Sequence, residues 1–564
     1  MAPGMDGKPV AVKTKRYTHP YVLAGLVPLF FFLVFYFYPL AGIFLRSFVP
    51  DFPAHLHIDL SFLNQVAGSQ RLHHIIRFTF WQAAVSTGLT LAVAFPCAFV
   101  MSNYEFKGKQ FLTLSASIPF VLPAVVVAAA LDASFGKNGW LGVLNIRHPL
   151  VLIFIAHVFY NFSVMLRILT SFWAGLRANV QEAAAMLGAG PFQTFIHITL
   201  PLLMPAVWAA SFLVFIFCFS SFGIILILGG PAYSTIEAEI YRQAAHMFNL
   251  PVASFLSLIQ IGFTLVLMGL YTAFSRKAVR FATKTNHTHF KQPEKFWEKA
   301  AVAGNAGFII LLCLFPLAAL AGKSIVHEGQ LSLIYYRAIF DNPAGSIFHV
   351  PPFTAIKFSF IFAGTALVIA LVTGLCAALC LNHLDRTKAK GLAAFFDPLF
   401  MLPLSTSAVT LGFGIIITLD RPPLNLRTSA LLVPMVHALV GFPFVLRAVL
   451  PALKNIPDNI RETAAMLGAS PGKIFRCIDL PLISGALTAG AVFAFTISMG
   501  EFGATIFTAS PRTPTIPLAI YRFLGQPGAM NYGQALAIST LLMAVTAAGF
   551  ILIEKIGSKG IQQF

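Results

Sequence analysis

Long apolar runs recur along the whole chain, at about 21–45, 74–101, 111–133, 150–173, 205–228 and 252–275, then at about 300–322, 355–381, 392–418, 430–452, 484–508 and 534–556. Roughly 20 such residues carry a helix across a hydrocarbon core about 30 Å thick. Backbone inside that core must satisfy its own hydrogen bonds, and these runs lack the alternation of a barrel strand. They predict an all-α polytopic membrane protein with about twelve transmembrane helices. The composition agrees: 57% of the residues are hydrophobic and 10% charged, against about 25% charged in soluble domains.

The formal net charge of +18 could suggest nucleic acid as a partner, but its distribution argues for orientation instead. Lys and Arg gather in particular inter-helix loops, as the positive-inside rule requires. Lys8, Lys13, Lys15 and Arg16 precede the first run, which is too long for a signal-peptide core and reads as an uncleaved span. Lys107 and Lys109 fall on the same predicted side, as do Arg386, Lys388 and Lys390, and the tail residues Lys555 and Lys559. The most basic loop, with Arg276, Lys277, Arg280, Lys284, Lys291, Lys295 and Lys299, lies there too. Loops 46–73 and 323–354 are poorer in base and are predicted outside. Both termini are thus expected in the cytoplasm of a bacterial cell, with the chain in the inner membrane. Of the cysteines, Cys97, Cys218, Cys313, Cys376 and Cys380 lie in apolar runs and only Cys477 does not. A disulfide framework is not expected. Cys376 and Cys380 share a helix face without a His or acid to complete a metal set, and read as packing residues.

The chain is also a tandem duplication. Residues 182–201 and 462–481 align without a gap at an offset of 280, with twelve of twenty positions identical. The same offset pairs Phe78 and Phe80 with Phe358 and Phe360, and Leu122-Pro123 with Leu402-Pro403. It pairs His157, Phe162, Leu166 and Arg167 with His437, Phe442, Leu446 and Arg447, and Phe222-Gly223 with Phe502-Gly503. Thr235-Ile236 and Ile240-Tyr241-Arg242 likewise match Thr515-Ile516 and Ile520-Tyr521-Arg522. The expected units are residues 1–290 and 291–564, each a six-helix repeat, with polar loops 176–203 and 456–483. Six spans return each repeat to the side it started from. The repeats are therefore parallel, related by an axis along the membrane normal, with a pathway at their interface.

The duplicated loop carries Glu-x-Ala-Ala-x-x-Gly-x₉-Ile-x-Leu-Pro, allowing a shift within the alanines. It resembles the EAA motif of ABC importer permeases, and the resemblance covers nearly the whole chain. In the first copy the motif falls on Glu182, Ala183, Ala184, Gly188, Ile198 and Pro201, and in the second on Glu462, Ala464, Ala465, Gly468, Ile478 and Pro481. The resemblance implies coupling helices on the cytoplasmic face that dock on two copies of a separate ATPase subunit. It also implies a periplasmic substrate-binding protein as the second partner. No cofactor is expected in this chain; ATP and Mg belong to the ATPase. The residue types suit docking: alanines allow close approach, Gly188 and Gly468 permit a turn other residues resist, and Pro191 and Pro471 are expected to end the preceding helix. The glutamates pair with bases or cap the first turn. The fused two-repeat format resembles the permeases for thiamine and for ferric iron. The stretches 77–82, 136–141, 156–161 and 228–241 are closer to the thiamine type.

Intramembrane charge invites a functional question because it costs about 2.5–3.5 kcal/mol at mid-membrane. Glu501 stands in an apolar run where its repeat partner is Ser221, and the two are candidate pathway residues; a carboxylate bonded to backbone at a helix break is the plainer alternative. Asp132 is expected to cap or to face water, His157 and His437 to share a packing and hydrogen-bonding role, and Arg167 and Arg447 to snorkel or brace the loop. Trp81 and Trp140 read as interfacial anchors. Segments 229–246 and 509–526 are expected over the outer mouth.

An ATPase site is excluded in this chain. Gly322-Lys323-Ser324 imitates the end of a phosphate-binding loop, but Leu317 stands where its first glycine belongs. No catalytic constellation indicates an enzyme. An ion-coupled secondary transporter also has six plus six parallel spans, but it needs intramembrane ionisable groups and has no use for twin EAA stretches.

Overall fold

The computed structural model describes residues 19–560 apart from 50–60, 137–138, 145, 147, 177–183, 185, 231, 282–290, 342–350, 387–389, 421–423 and 428. Lys8, Lys13, Lys15, Arg16, Lys284 and Lys388 lie outside the described residues, as do Glu182 and Ala183. The first repeat contains α1 (Tyr21–Phe48), α2 (Gln70–Asn103), α3 (Lys109–Val121), α4 (Ala124–Phe135), α5 (Pro149–Ala174), α6 (Pro191–Phe219), α7 (Ile236–Ala245) and α8 (Leu250–Phe281). The second contains α9 (Phe296–Ser324), α10 (Pro352–Arg386), α11 (Lys390–Ser405), α12 (Ala408–Thr418), α13 (Leu432–Lys454), α14 (Asp458–Met466), α15 (Pro471–Gly500), α16 (Ile516–Leu524) and α17 (Ala529–Gly560). Among the described residues the only strand ladder joins Val326–His327 to Gln330–Leu331.

Among the described residues, ten helices are long and apolar enough to span a membrane. The runs at 111–133 and 392–418, expected as single spans, are instead bent pairs: α3 meets α4 at 109° and α11 meets α12 at 95°. The same Leu-Pro pair produces different breaks. Proline disfavours the helical region for the residue before it, and Leu122 is accordingly extended, with ψ 141°. Pro403 is instead absorbed inside α11, and the break falls later, where Ser407 Oγ accepts from Val409 N and caps α12. Tyr36 in α1 holds that break through a 2.7 Å hydrogen bond between its hydroxyl and that of Thr406.

Each bent pair still crosses from one face to the other. The backbone of Glu105, after α2, donates to Lys291, before α9, at 3.0 Å. Trp140, after α4, packs on Phe315 and Gly322 towards the far end of α9. Because α9 has 29 residues, these ends lie about 40 Å apart along it. In the second repeat Tyr21, which opens α1, meets His383 near the end of α10, while Gly42 near the other end meets Thr418, which closes α12. With each bent pair taken as one span, the described residues make up to twelve crossings. Both duplicated loops lie on one face, the one that also carries Tyr104, Lys291 and Arg386, and α7 and α16 lie on the other.

The repeats interlock. α1 packs on α10 and α12 of the second repeat, and its Phe32 meets Phe442 of α13 and Phe400 of α11 edge-on at 4.9 and 5.4 Å. α9 answers by packing on α3 and α4 of the first, and its Phe308 meets Phe162. α7 lies on α12 and α16 on α4. Each repeat therefore completes the core of the other.

Candidate coupling face and translocation seam

On the face that carries the duplicated loops, α14 ends in a turn that its sequence dictates. Gly468 adopts φ +82°, in the left-handed region that glycine alone enters without cost. Its N–H donates to the Ala465 carbonyl, and the N–H of Ala469 to that of Ala464, so the last carbonyls of α14 are satisfied inside the turn. The first copy repeats this geometry: Gly188 has φ +83° and Ala189 donates to Ala184 at 3.0 Å. The glycines, not the prolines, end these helices. Pro191 and Pro471 begin the next ones, at the first position where a missing N–H costs nothing.

The turn pushes two large apolar side chains into the open in each copy. Met186 and Leu187 are both 89% exposed, and Met466 and Leu467 are 79% and 84% exposed. Glu462 is exposed, Ala464 and Ala465 are half-buried, and Ala184 is buried. Ile198 and Ile478 are half-buried, and Pro201 and Pro481 exposed, at corresponding places on α6 and α15. Both of those helices open through a π-helical turn at the same repeat position, Phe195–Thr199 and Phe475–Asp479. Such turns are rare and often mark functional segments.

The second copy also carries an ion-pair network that sequence reasoning did not find. Arg461 Nε donates to Asp479 Oδ1 at 2.7 Å. Arg386 pairs with Asp458 and donates to the carbonyls of Leu453 and Ile456 at 3.4 and 3.3 Å. Lys454 pairs with Asp385. The available signal was a departure from the repeat, namely charge at Arg386, Lys454, Asp458, Arg461 and Asp479 where the first repeat has Phe106, Ala174, Ala178, Gln181 and Thr199.

The repeats meet along an aromatic seam. Phe222 and Phe502 stack at 5.5 Å across it. Tyr241 packs on Phe222 and on Phe507, and Tyr521 packs on Phe502. Backbone approaches closely here: a Cβ on Gly500 would stand 2.9 Å from Pro123 Cγ. The two candidate pathway residues lie beside this seam in unlike roles. Glu501 turns back and accepts from Ala504 N at 3.0 Å, capping the turn that follows. Ser221 bonds His157 Nε2 at 2.9 Å.

His157 and His437 are buried, and each has both ring nitrogens bonded to hydroxyls, but the partners differ. His157 takes Ser86 and Ser221, while His437 takes Ser498 and Thr505. Arg167 and Arg447 are half exposed and reach Glu554 and Asp397 at 3.4 and 3.6 Å. Asp132 bonds Tyr532. A further buried acid was not anticipated. Glu237, on α7, is 1% exposed, accepts from Gln260 Nε2 at 2.5 Å, and bonds the Ser407 hydroxyl across the repeat boundary. Burial pushes its carboxyl up to about 8. Its neighbour Glu239, fully buried, is held by Arg242 and Gln243.

Two interlocked repeats, twin exposed turns on one face and an aromatic seam between them describe a membrane transport subunit. The family model for binding-protein-dependent transport system inner membrane components matches twice, over residues 85–280 and 370–559, most of the chain. The chain belongs to that family and is a multi-pass ABC importer permease of the fused two-repeat kind. It is 25% identical over 487 residues to the thiamine transport system permease protein ThiP of Haemophilus influenzae, covering 84% of this chain and 88% of that one. It is 24% identical over 511 residues to the protein of the same name in Escherichia coli, covering 87% and 90%. A probable ABC transporter permease, y4fN of Sinorhizobium fredii, is 23% identical over 534 residues, covering 88% and 89%.

Proposed function

We propose that the chain forms the pore of a thiamine importer, with the twin turns in the cytoplasm and docked on two copies of an ATPase subunit. A periplasmic binding protein delivers the solute to the face that carries α7 and α16. ATP and Mg act on the ATPase chains, and this chain contributes no catalytic group. The observation that carries the docking half is the pair of Met-Leu-Gly turns, which expose apolar side chains at the same repeat position on one face. Burying such side chains on a partner gains about 1.5–3 kcal/mol each. The substrate half is supported by relatives named for thiamine transport, aligned along more than four fifths of this chain.

The stacked Phe222 and Phe502 are the barrier that must part to admit solute, and Glu501 and Ser221 flank it. The test is reconstitution of the permease with its ATPase and binding protein in vesicles. Thiamine-loaded binding protein should stimulate ATP hydrolysis several-fold, and ferric-loaded protein should not; the reverse pattern would move the assignment to iron. Replacing Glu182, Gly188, Glu462 and Gly468 together should abolish ATPase co-purification, and undiminished co-purification would count against docking.

A further inference from the structure

Three rings of the first repeat form a bent array beside the Phe222–Phe502 stack. Phe120, in the last turn of α3, packs on Tyr160 of α5 at 5.7 Å and on Phe217 of α6 at 5.6 Å, tilted by 54° and 49°. The acid that joins them comes from the second repeat. α15 ends at Gly500, where a Cβ would stand 2.9 Å from Pro123, just beyond Phe120. Glu501 follows, within electrostatic reach of Tyr160. Its Oε1 accepts from backbone, at Ala504 N, and not from a basic side chain. All four side chains are partly exposed, although Phe159, Asn161, Cys218 and Phe502 next to them in the chain are buried. Because Tyr160 and Glu501 belong to different repeats, the space between them belongs to the boundary. α6 and α15 both rise from the duplicated loops and reach Phe217 and Glu501 before Phe222 and Phe502, so the array lies on the loop side of the stack. It is made once. Val440, Ile497 and Ser221 stand at the positions equivalent to Tyr160, Phe217 and Glu501, and Phe400, equivalent to Phe120, is packed on Phe32 and Phe442.

We propose that Phe120, Tyr160, Phe217 and Glu501 form a transit site for a flat organic cation, and that the site favours such a solute over a metal ion. The inference deepens the reading of this chain as a thiamine permease and rests on it. A fixed positive charge is expensive to carry through the middle of a membrane. Ring faces attract a cation within about 6 Å of their centroids, most strongly where water is excluded. A cation beside a carboxyl also favours its ionised form, so solute and site complete each other. The site thus stabilises the solute's charge once the stack has parted. A hard metal ion gains little here, because such ions take about six oxygen ligands and the rings supply one hydroxyl, that of Tyr160. Glu237 also lies within electrostatic reach of Glu501, but Gln260 and Ser407 already take up its carboxyl.

The test is thiamine uptake per ATP hydrolysed, in vesicles that hold the permease with its ATPase and are supplied with saturating thiamine-loaded binding protein. Glu501→Gln keeps an acceptor for Ala504 N and removes only the charge. Tyr160→Leu and Phe217→Leu each remove a ring, and Tyr160→Phe keeps one. Uptake per ATP is expected to fall roughly tenfold in Glu501→Gln and several-fold in each Leu variant, with Tyr160→Phe recovering most of that loss. A packing defect would instead lower melting temperature and ATP turnover together and leave the ratio alone. An unchanged ratio in Glu501→Gln would overturn the inference and leave the thiamine reading in place. So would a Tyr160→Phe complex no better than Tyr160→Leu. If the unsubstituted complex carried iron and not thiamine, the substrate reading itself would fail, and this inference with it.

Discussion

At the residue scale, the buried acid Glu237 makes a prediction about pH. Its carboxyl titrates near 4.5 when solvated and near 8 in the fold. The folded form thus holds a proton that the unfolded form loses, and the contribution of this group to stability is greatest below about 4.5, declines as pH rises towards 8, and levels off above it. Glu237→Gln keeps the hydrogen-bonding shape without the ionisation. The melting temperature of the natural chain should therefore fall between pH 5 and 8 relative to that of the variant, and parallel curves would contradict the buried assignment. The residue was illegible in the sequence because it sits in a short polar segment, where an acid is ordinary. Only the fold reveals that Gln260 and Ser407 close over it. Glu501 was conspicuous for the opposite reason, since an acid stands out in an apolar run, and its role as a cap is the plainer of the two readings weighed for it.

At the element scale, the twin turns of the duplicated loops were legible and the bent pairs were not. Repetition at a fixed offset exposes any motif that both copies keep, so Gly188 and Gly468 could be singled out and both prove to be left-handed. A bend at Leu-Pro inside an apolar run leaves hydropathy untouched, which is why 111–133 and 392–418 read as straight spans. The Arg461–Asp479 pair was hidden because it breaks the repeat. The twin turns also make a graded prediction. A side chain at a left-handed position costs about 1–2 kcal/mol, so Gly468→Val should weaken ATPase recruitment, whereas Gly472→Val, at an open position with an ordinary backbone, should not. Leu187→Asp with Leu467→Asp should abolish recruitment without lowering the melting temperature, because both side chains are exposed in the isolated chain. Pull-down of the ATPase by each variant measures the series.

At the scale of the whole molecule, the duplication predicts two like halves, and the structure shows halves that are incomplete alone. α1 fills the second repeat and α9 the first. Expressed separately, residues 1–290 and 291–564 should each be degraded, while co-expression should restore a stable pair that co-purifies; a stable isolated half would contradict the interlock. The same exchange bears on how the protein is made. When the first helix leaves the translocon, the rings that will enclose Phe32 do not yet exist, and it must wait in lipid until the ribosome has reached Phe442. Chains released early would display that orphaned aromatic face to the membrane's quality-control proteases. Only full-length synthesis would then escape destruction, leaving the cell few half-built pores that could leak.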